Sequence, residues 1–431
     1  MTIQYEQTVF KDLLEAYPTW KELEAFLESE QGGQFRVVDQ KGDLCIIRYE
    51  KGVSNMNLPH SRWFRSVVWN TTTNRPMCVS PPKTTQTEFP FSHVDDAVKN
   101  GIVSQELVDG VMINCFKKVG DEQLYITSRS KLNAAGNFYS PKSFRTLFIE
   151  CFTGYNVDPN AVEQVIQERS HKFTSPDQEK KEVAIFYSYV IQHVEHRIVE
   201  PIKRNACVLI HKGTVYEDGR MVMEDDFPFV QSNWYELTLE KSKGSYAQVV
   251  GSSGQTIEAW AKKIFDQSSW NFQGMVLKDS TGNRWRFRSS KYTAVKSLRG
   301  NSPVVVERYA QLYSQNLIQK YLEYYPEETF VFSFHSDGMN KIVHELYQYY
   351  IALHVTKTTT VAKIDKMFSS HLYTLHGIYL SQLRPEKKKL TPVEVQTYLH
   401  KLPWQRIAFL LRRHQESYFS MLEDAVIEPF L

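Results

Sequence analysis

Six cations, Arg65, Lys83, Arg129, Arg197, Arg286 and Arg288, stand within or beside runs of strand-forming residues. Such groups suit phosphate oxygens: arginine offers a planar fork of donors and lysine a compact point charge. The segment Arg284-Trp285-Arg286-Phe287-Arg288 alternates with a period of two, so its arginines share one face of an extended strand. That period also describes a plain solvated face, and both readings stand at this point. Formal net charge is only +2 over 431 residues. A polyanionic partner would therefore be held by a local cluster, not by a generally basic surface.

Other chemistry-bearing residues are sparse. Asp109-Gly110 leads into Val111-Met112-Ile113, a turn opening onto an apolar strand. Leu107, two positions earlier, has no lone pair and cannot act as a nucleophile. His193 and His196 have no evident carboxylate partners nearby and read as ordinary polar positions. The five cysteines are an odd count, widely scattered and set mostly in apolar runs, which predicts reduced, buried thiols and an intracellular setting. With no Cys-x-x-Cys pair, no metal site is expected.

The elements that must position these residues divide the chain in three. Residues 1–60 read as an amphipathic helix over 10–30, stopped by Gly32-Gly33, and a hairpin of 34–38 and 44–49, the whole docking on the central part of the chain. Residues 61–300 read as strands (67–69, 111–116, 124–128, 183–191, 206–211, 275–279 and 285–288) with helices near 160–169 and 256–267. This mixture predicts an α+β domain of antiparallel sheets. Residues 301–431 show helical periodicity at 304–324, 340–354 and 361–383, and Thr391-Pro392 opens a further helix. An all-helical C-terminal domain is expected. The N-terminus does not read as a secretory signal, and no window approaches the ~18 apolar residues of a membrane span.

The order of segments resembles the phage-type RNA ligase group of the covalent nucleotidyltransferase superfamily, most closely its large-DNA-virus relatives, over about residues 62–301. Residues 105–113 resemble the K-x-D-G strand, with Leu107 in the lysine position and Asp109-Gly110 in place. Arg62-Trp63-Phe64-Arg65-Ser66 and Pro81-Pro82-Lys83 resemble segments whose arginine and lysine approach the triphosphate. Residues 125–131 resemble the strand that stacks adenine and lines the ribose. Arg197-Ile198-Val199 agrees with an N-R-I-V element, whose upstream glutamate is here Ser188. Gln273-Gly274 resembles an E-G pair, and Arg286 and Arg288 occupy a closing K-x-K.

The resemblance implies a nucleotidyltransferase (ATP-grasp-like adenylation) domain with ATP and Mg²⁺ as cofactors if active, and RNA as partner. It places Leu107, Asp109 and Gly110 at the catalytic strand and Arg65, Lys83, Arg129, Arg197, Gln273, Arg286 and Arg288 around nucleotide and phosphate. Loss of the lysine and of both acids (Ser188, Gln273) removes the nucleophile and the metal ligands together, whereas the cations remain. The expectation is thus a degenerate relative that binds nucleotide or RNA with lysine adenylation lost. Two alternatives are an active RNA ligase using another lysine (Lys99, Lys117, Lys118 or Lys131) and a structural or assembly protein of a large DNA virus. A viral source implies the host cytoplasm or the virion as location.

Overall fold

Each of these strand runs forms a strand in the computed structural model, which describes residues 4–85, 88–121, 123–153, 181–224 and 254–427. The chain folds into two compact units, Met1–Thr293 and Ala294–Leu431. The first combines antiparallel sheets with helices and the second is helical, a mixed α+β architecture.

In the first unit a six-stranded antiparallel sheet runs in the order β1 (Gln4–Gln7), β11 (Met221–Glu224), β10 (Ala206–Tyr216), β9 (Glu182–Gln192), β7 (Val111–Lys118) and β8 (Leu124–Ser128). A second sheet is the meander β2 (Phe35–Lys41), β3 (Leu44–Tyr49), β4 (Val67–Asn70) and β5 (Arg75–Val79). The third has β12 (Gly274–Lys278) between β13 (Arg284–Arg288) and β6 (Val103–Glu106). The first two sheets share a core in which Ile46, Val68 and Trp69 meet Phe116, Phe186 and Met223. The opening segment therefore docks through apolar burial, the main favourable term in packing.

The expected helix over residues 10–30 is two helices, α1 (Val9–Ala16) and α2 (Trp20–Glu28). Pro18 keeps the preceding residue out of the helical region. Thr19 then caps α2 reciprocally with Glu22: the Glu22 N–H donates to the Thr19 hydroxyl at 3.4 Å, and the Thr19 N–H donates to the Glu22 carboxylate at 3.1 Å. Helices α3 (Val94–Lys99) and α4 (Phe144–Thr153), and strands β1, β5, β6 and β11, add to the elements read from sequence. The helix over 256–267 is α5 (Ile257–Gln267), capped by Thr256. The helix expected near 160–169 lies outside the described residues. All five cysteines are free, three of them buried, and burial together with Glu24 pushes the Cys45 thiol up to about 12.

The unit boundary falls within helix α6 (Ser290–Arg299). Beyond it lie α7 (Val305–Ser314), α8 (Ile318–Tyr324), α9 (Thr329–Tyr350), α10 (Lys366–Ile378), α11 (Pro392–His400) and α12 (Trp404–Ile427). The single helix expected over 304–324 breaks at Asn316, whose φ of 56° is left-handed. Helix α9 begins eleven residues before the expected 340. Among the described residues, no helix is long and apolar enough to cross a membrane.

Candidate anion-binding site

Residues 107–110 join β6 of the three-stranded sheet to β7 of the six-stranded sheet, and this joint is dense in hydrogen bonds. The Leu107 N–H donates to the Gly274 carbonyl at 2.9 Å. With its nitrogen turned inward, the buried Gln273 amide donates to the Leu107 and Val108 carbonyls, each at 3.3 Å. One oxygen of the buried Asp109 carboxylate accepts from the Val199 and Glu200 N–H groups at 3.0 and 2.9 Å, and the other accepts from the Tyr292 hydroxyl at 2.6 Å. The Asp109 carbonyl accepts from the Gln192 amide at 2.8 Å. Gly110 permits close approach: a Cβ there would lie 2.7 Å from Val190 Cγ1 and press on the Ile191 carbonyl oxygen. Gly274 has φ 135°, which only glycine adopts readily, and a side chain would meet the Phe287 carbonyl.

The cations form the opposite kind of environment. The 61–66 segment is tied to its neighbours by backbone hydrogen bonds, Lys83 N–H to the Arg62 carbonyl at 2.8 Å and Tyr49 N–H to the Phe64 carbonyl at 2.9 Å. Thr85 N–H in turn donates to the Arg284 carbonyl at 2.7 Å, bringing the edge of the four-stranded sheet to β13. Arg65 is thereby placed among Arg129, Arg284 and Arg286, beside Tyr49. Arg48 and Lys83 lie 5.9 and 4.9 Å from the Tyr49 ring. Arg288, next along the same face of β13, pairs in register with Gly274 of the joint.

The Arg65, Arg129, Arg286 and Arg288 side chains make no hydrogen bond or ion pair among the described residues. Burial first, then Arg129, Arg284 and Arg286, pushes Arg65 down to about 9, so it remains charged at neutral pH. Burial and Arg48 lower Arg129, and burial and Arg288 lower Arg286. Guanidinium groups withdrawn from water without countercharge are disfavoured by desolvation and by one another. A bound polyanion would supply the countercharge.

The residues implied for a divalent metal do not fit one. Ser188 is fully buried and donates to the Asn114 side chain at 2.8 Å, and Asn114 donates to Ser80 at 2.8 Å. Gln273 faces carbonyl oxygens, and both Asp109 oxygens are taken by donors. Among the described residues, no cluster of three or more His, Cys, Asp or Glu could hold a metal ion. Tyr125, implied as the adenine platform, stacks on Phe116 at 4.7 Å and donates to Asp121 at 2.9 Å, which removes that face from a ligand. Of the alternative lysines, Lys118 pairs with Asp43 at 3.2 Å and Lys131 with Asp39 at 3.3 Å. Lys118 ends β7, roughly 24 Å along the strand from Val111.

Arg197 is held by its own turn: its Nε donates to the Val199 carbonyl at 3.0 Å, and its guanidinium lies 5.8 Å from the Trp270 ring. His193 does have a carboxylate partner, contrary to the expectation from sequence. It contacts Glu150 at 2.7 Å, and its Nδ1 accepts from the Glu195 N–H at 3.1 Å, so Nε2 carries the proton. Lys142 bridges Glu150 and Glu195 at 3.0 and 2.8 Å. Sequence reading missed Arg48 and Arg284 as members of the cation group and Tyr49 as the ring beside it. The Arg-x-Arg-x-Arg alternation contained the signal for Arg284, whereas Arg48-Tyr49 resembled any strand end. Comparison of the chain with known protein families and with curated proteins found no match.

Proposed function

We propose that the first unit binds a polyanion, a nucleotide or the backbone of RNA, through Arg65, Arg129, Arg284 and Arg286, with Arg48, Lys83 and Arg288 at the margin. The frame is that of a nucleotidyltransferase related to RNA ligases, from which lysine adenylation has been lost. One observation carries this reading: the half-buried Arg65 and Arg129 and the exposed Arg286 converge without an acidic partner among the described residues. The relation of the joint at Leu107–Gly110 to β12 and β13 supports the frame, because segments far apart in sequence meet there in the order the resemblance implies. Leu107 supports the loss of chemistry, since nothing at its position can form a phosphoramidate.

The test is RNA binding measured against salt concentration. The affinity of the unaltered chain should fall linearly on a log–log plot, and Arg286→Ala should lower the slope by about one. Undetectable RNA and nucleotide binding at low salt would overturn the proposal. The lost reaction is tested by intact mass after incubation with ATP and Mg²⁺ or Mn²⁺. No gain of AMP is expected for the natural chain or for Leu107→Lys, because Ser188 and Gln273 supply no metal ligand. An AMP adduct on the natural chain would refute the loss.

A further inference from the structure

Two imidazoles lie face to face in the second unit. The His354 and His376 ring centroids are 3.9 Å apart, with the ring planes 6° from parallel. The two residues come from different helices, and both helices change their winding near the rings. Helix α9 runs on into a π turn over Ile351–Val355, closed by the Thr356 N–H donating to the Ile351 carbonyl at 2.9 Å. Helix α10 runs on into a second over Tyr379–Leu383, closed by the Arg384 N–H donating to the Tyr379 carbonyl at 2.8 Å. Such wide turns are rare, and they frequently mark functional places in a helix.

The surroundings favour the uncharged pair. The Nε2 of His354 is shut off from water without a hydrogen-bond partner among the described residues. A proton added there would have no acceptor, and a charge on one ring would face a charge on the other. Burial first, then His376, accordingly holds His354 below the ordinary histidine range. Among the described residues, neither ring is bonded to a carboxylate that would offset this.

The groups that face the pair are two phenols. Tyr350 of α9 lies 5.0 Å from the His354 ring, and its hydroxyl meets His376 Nδ1 at 3.4 Å. Burial and Tyr379 push the Tyr350 phenol up to about 12, so it stays neutral. Tyr379 itself lies 6.0 Å from the His376 ring. On the other helices packed against α9, charged and titratable groups are engaged elsewhere. Tyr398 and His400 of α11 meet His371 and the Tyr313 carbonyl, Arg412 and His414 of α12 meet Glu307 and Glu345, and Arg308 of α7 meets Glu328.

We propose that His354 and His376 form an acid-sensitive clasp between the ends of α9 and α10, closed while both rings are neutral and opened when both take up protons. The direction follows from linkage. The unfolded chain binds these protons near the ordinary histidine value of about 6.5, and His354 in the clasp binds its proton only at lower pH. The contribution of the pair is therefore complete above about 6.5 and is lost as pH falls through the folded value. Opening uncovers the buried Tyr350 beside Val355 and Leu380, which are exposed already, and so enlarges an apolar surface. The clasp is built wholly from second-unit residues and does not depend on polyanion binding by the first.

The test uses the full chain in buffer containing a chelator, so that no adventitious metal bridges the imidazoles. Histidine ring resonances followed against pH give the His354 midpoint, which should lie below about 6.5. In His376→Phe, which keeps a ring in the stack and removes its charge, that midpoint should rise. Hydrogen exchange, corrected for the intrinsic effect of pH, reports the clasp itself. Between about pH 8 and 5, opening at residues 351–355 and 379–383 should become about tenfold more frequent in the natural chain. His354→Phe and His376→Phe should each remove most of that acceleration. The proposal is overturned by a His354 midpoint at or above the ordinary value, by the absence of acid acceleration at the two turns, or by acceleration undiminished in the two variants. Where a variant fails to fold, the midpoint and exchange of the natural chain decide.

Discussion

Arginines cluster in both units, in opposite ways, buried in the second and half-buried or exposed in the first. In the second unit Arg299 and Arg308 converge on Glu328, with Arg308 at 2.8 and 3.0 Å from its two oxygens, and the Tyr321 hydroxyl donates to the same carboxylate at 2.9 Å. Against the burial that would raise it, the two arginines hold the Glu328 carboxyl below its ordinary range. In the first unit Arg65, Arg129 and Arg286 gather with no such carboxylate among the described residues. A closed network holds helices together. An open one leaves charge to be satisfied from outside, as the proposed polyanion would do.

That contrast can be tested from either side. Glu328→Gln leaves two buried guanidinium groups without countercharge and should lower the stability of the second unit by about 3–5 kcal/mol, measured by urea denaturation. The pH dependence has a definite sign. A carboxyl held low in the folded state stabilises above its unfolded value of about 4.3 and loses that contribution as pH falls through its folded value. The gap between natural chain and variant should therefore narrow on acidification; a constant gap would mean that charge is not the cause.

Asp109→Asn tests the joint, which is closed like Glu328 but by neutral donors. Two backbone N–H groups and a tyrosine hydroxyl lose a charged acceptor, and the expected loss is about 2–4 kcal/mol. Full stability with altered ligand binding would show instead that Asp109 acts on a ligand. Arg65→Met should have the smallest effect on stability, within about 1 kcal/mol of the natural chain and in either direction, since it removes like-charge repulsion. Its signature is a roughly tenfold loss of RNA affinity with a lower salt slope. If Arg65→Met unfolds the unit, the open group is structural after all.

The parts legible in sequence were those governed by local period and by turn chemistry. The strands at 111–118 and 182–192 followed from runs of apolar and β-branched residues, that at 284–288 from its alternation with a period of two, and the capped start at Thr391 was visible as Thr-Pro-x-Glu. Pro18 and Thr19 also displayed the break between α1 and α2, but apolar periodicity across them hid it. Strand β6, Val-Ser-Gln-Glu, is short and polar, and exists because β12 supplies its hydrogen-bonding partner. The His193–Glu150 contact joins residues 43 apart, a separation no local pattern encodes. Arg65, Arg129 and Arg286 were each visible as cations. Their lack of carboxylate partners is a property of the packed state and could not be read in advance.

The Val199 and Glu200 amides share one acceptor, an oxygen of Asp109, at the place where the chain passes from the small sheet to the large one. Hydrogen exchange at these two positions requires that acceptor to withdraw. They are natural reporters of whether the sheets part at this joint. A ligand that draws β13 toward the rim of the four-stranded sheet would slow both amides together, without touching either.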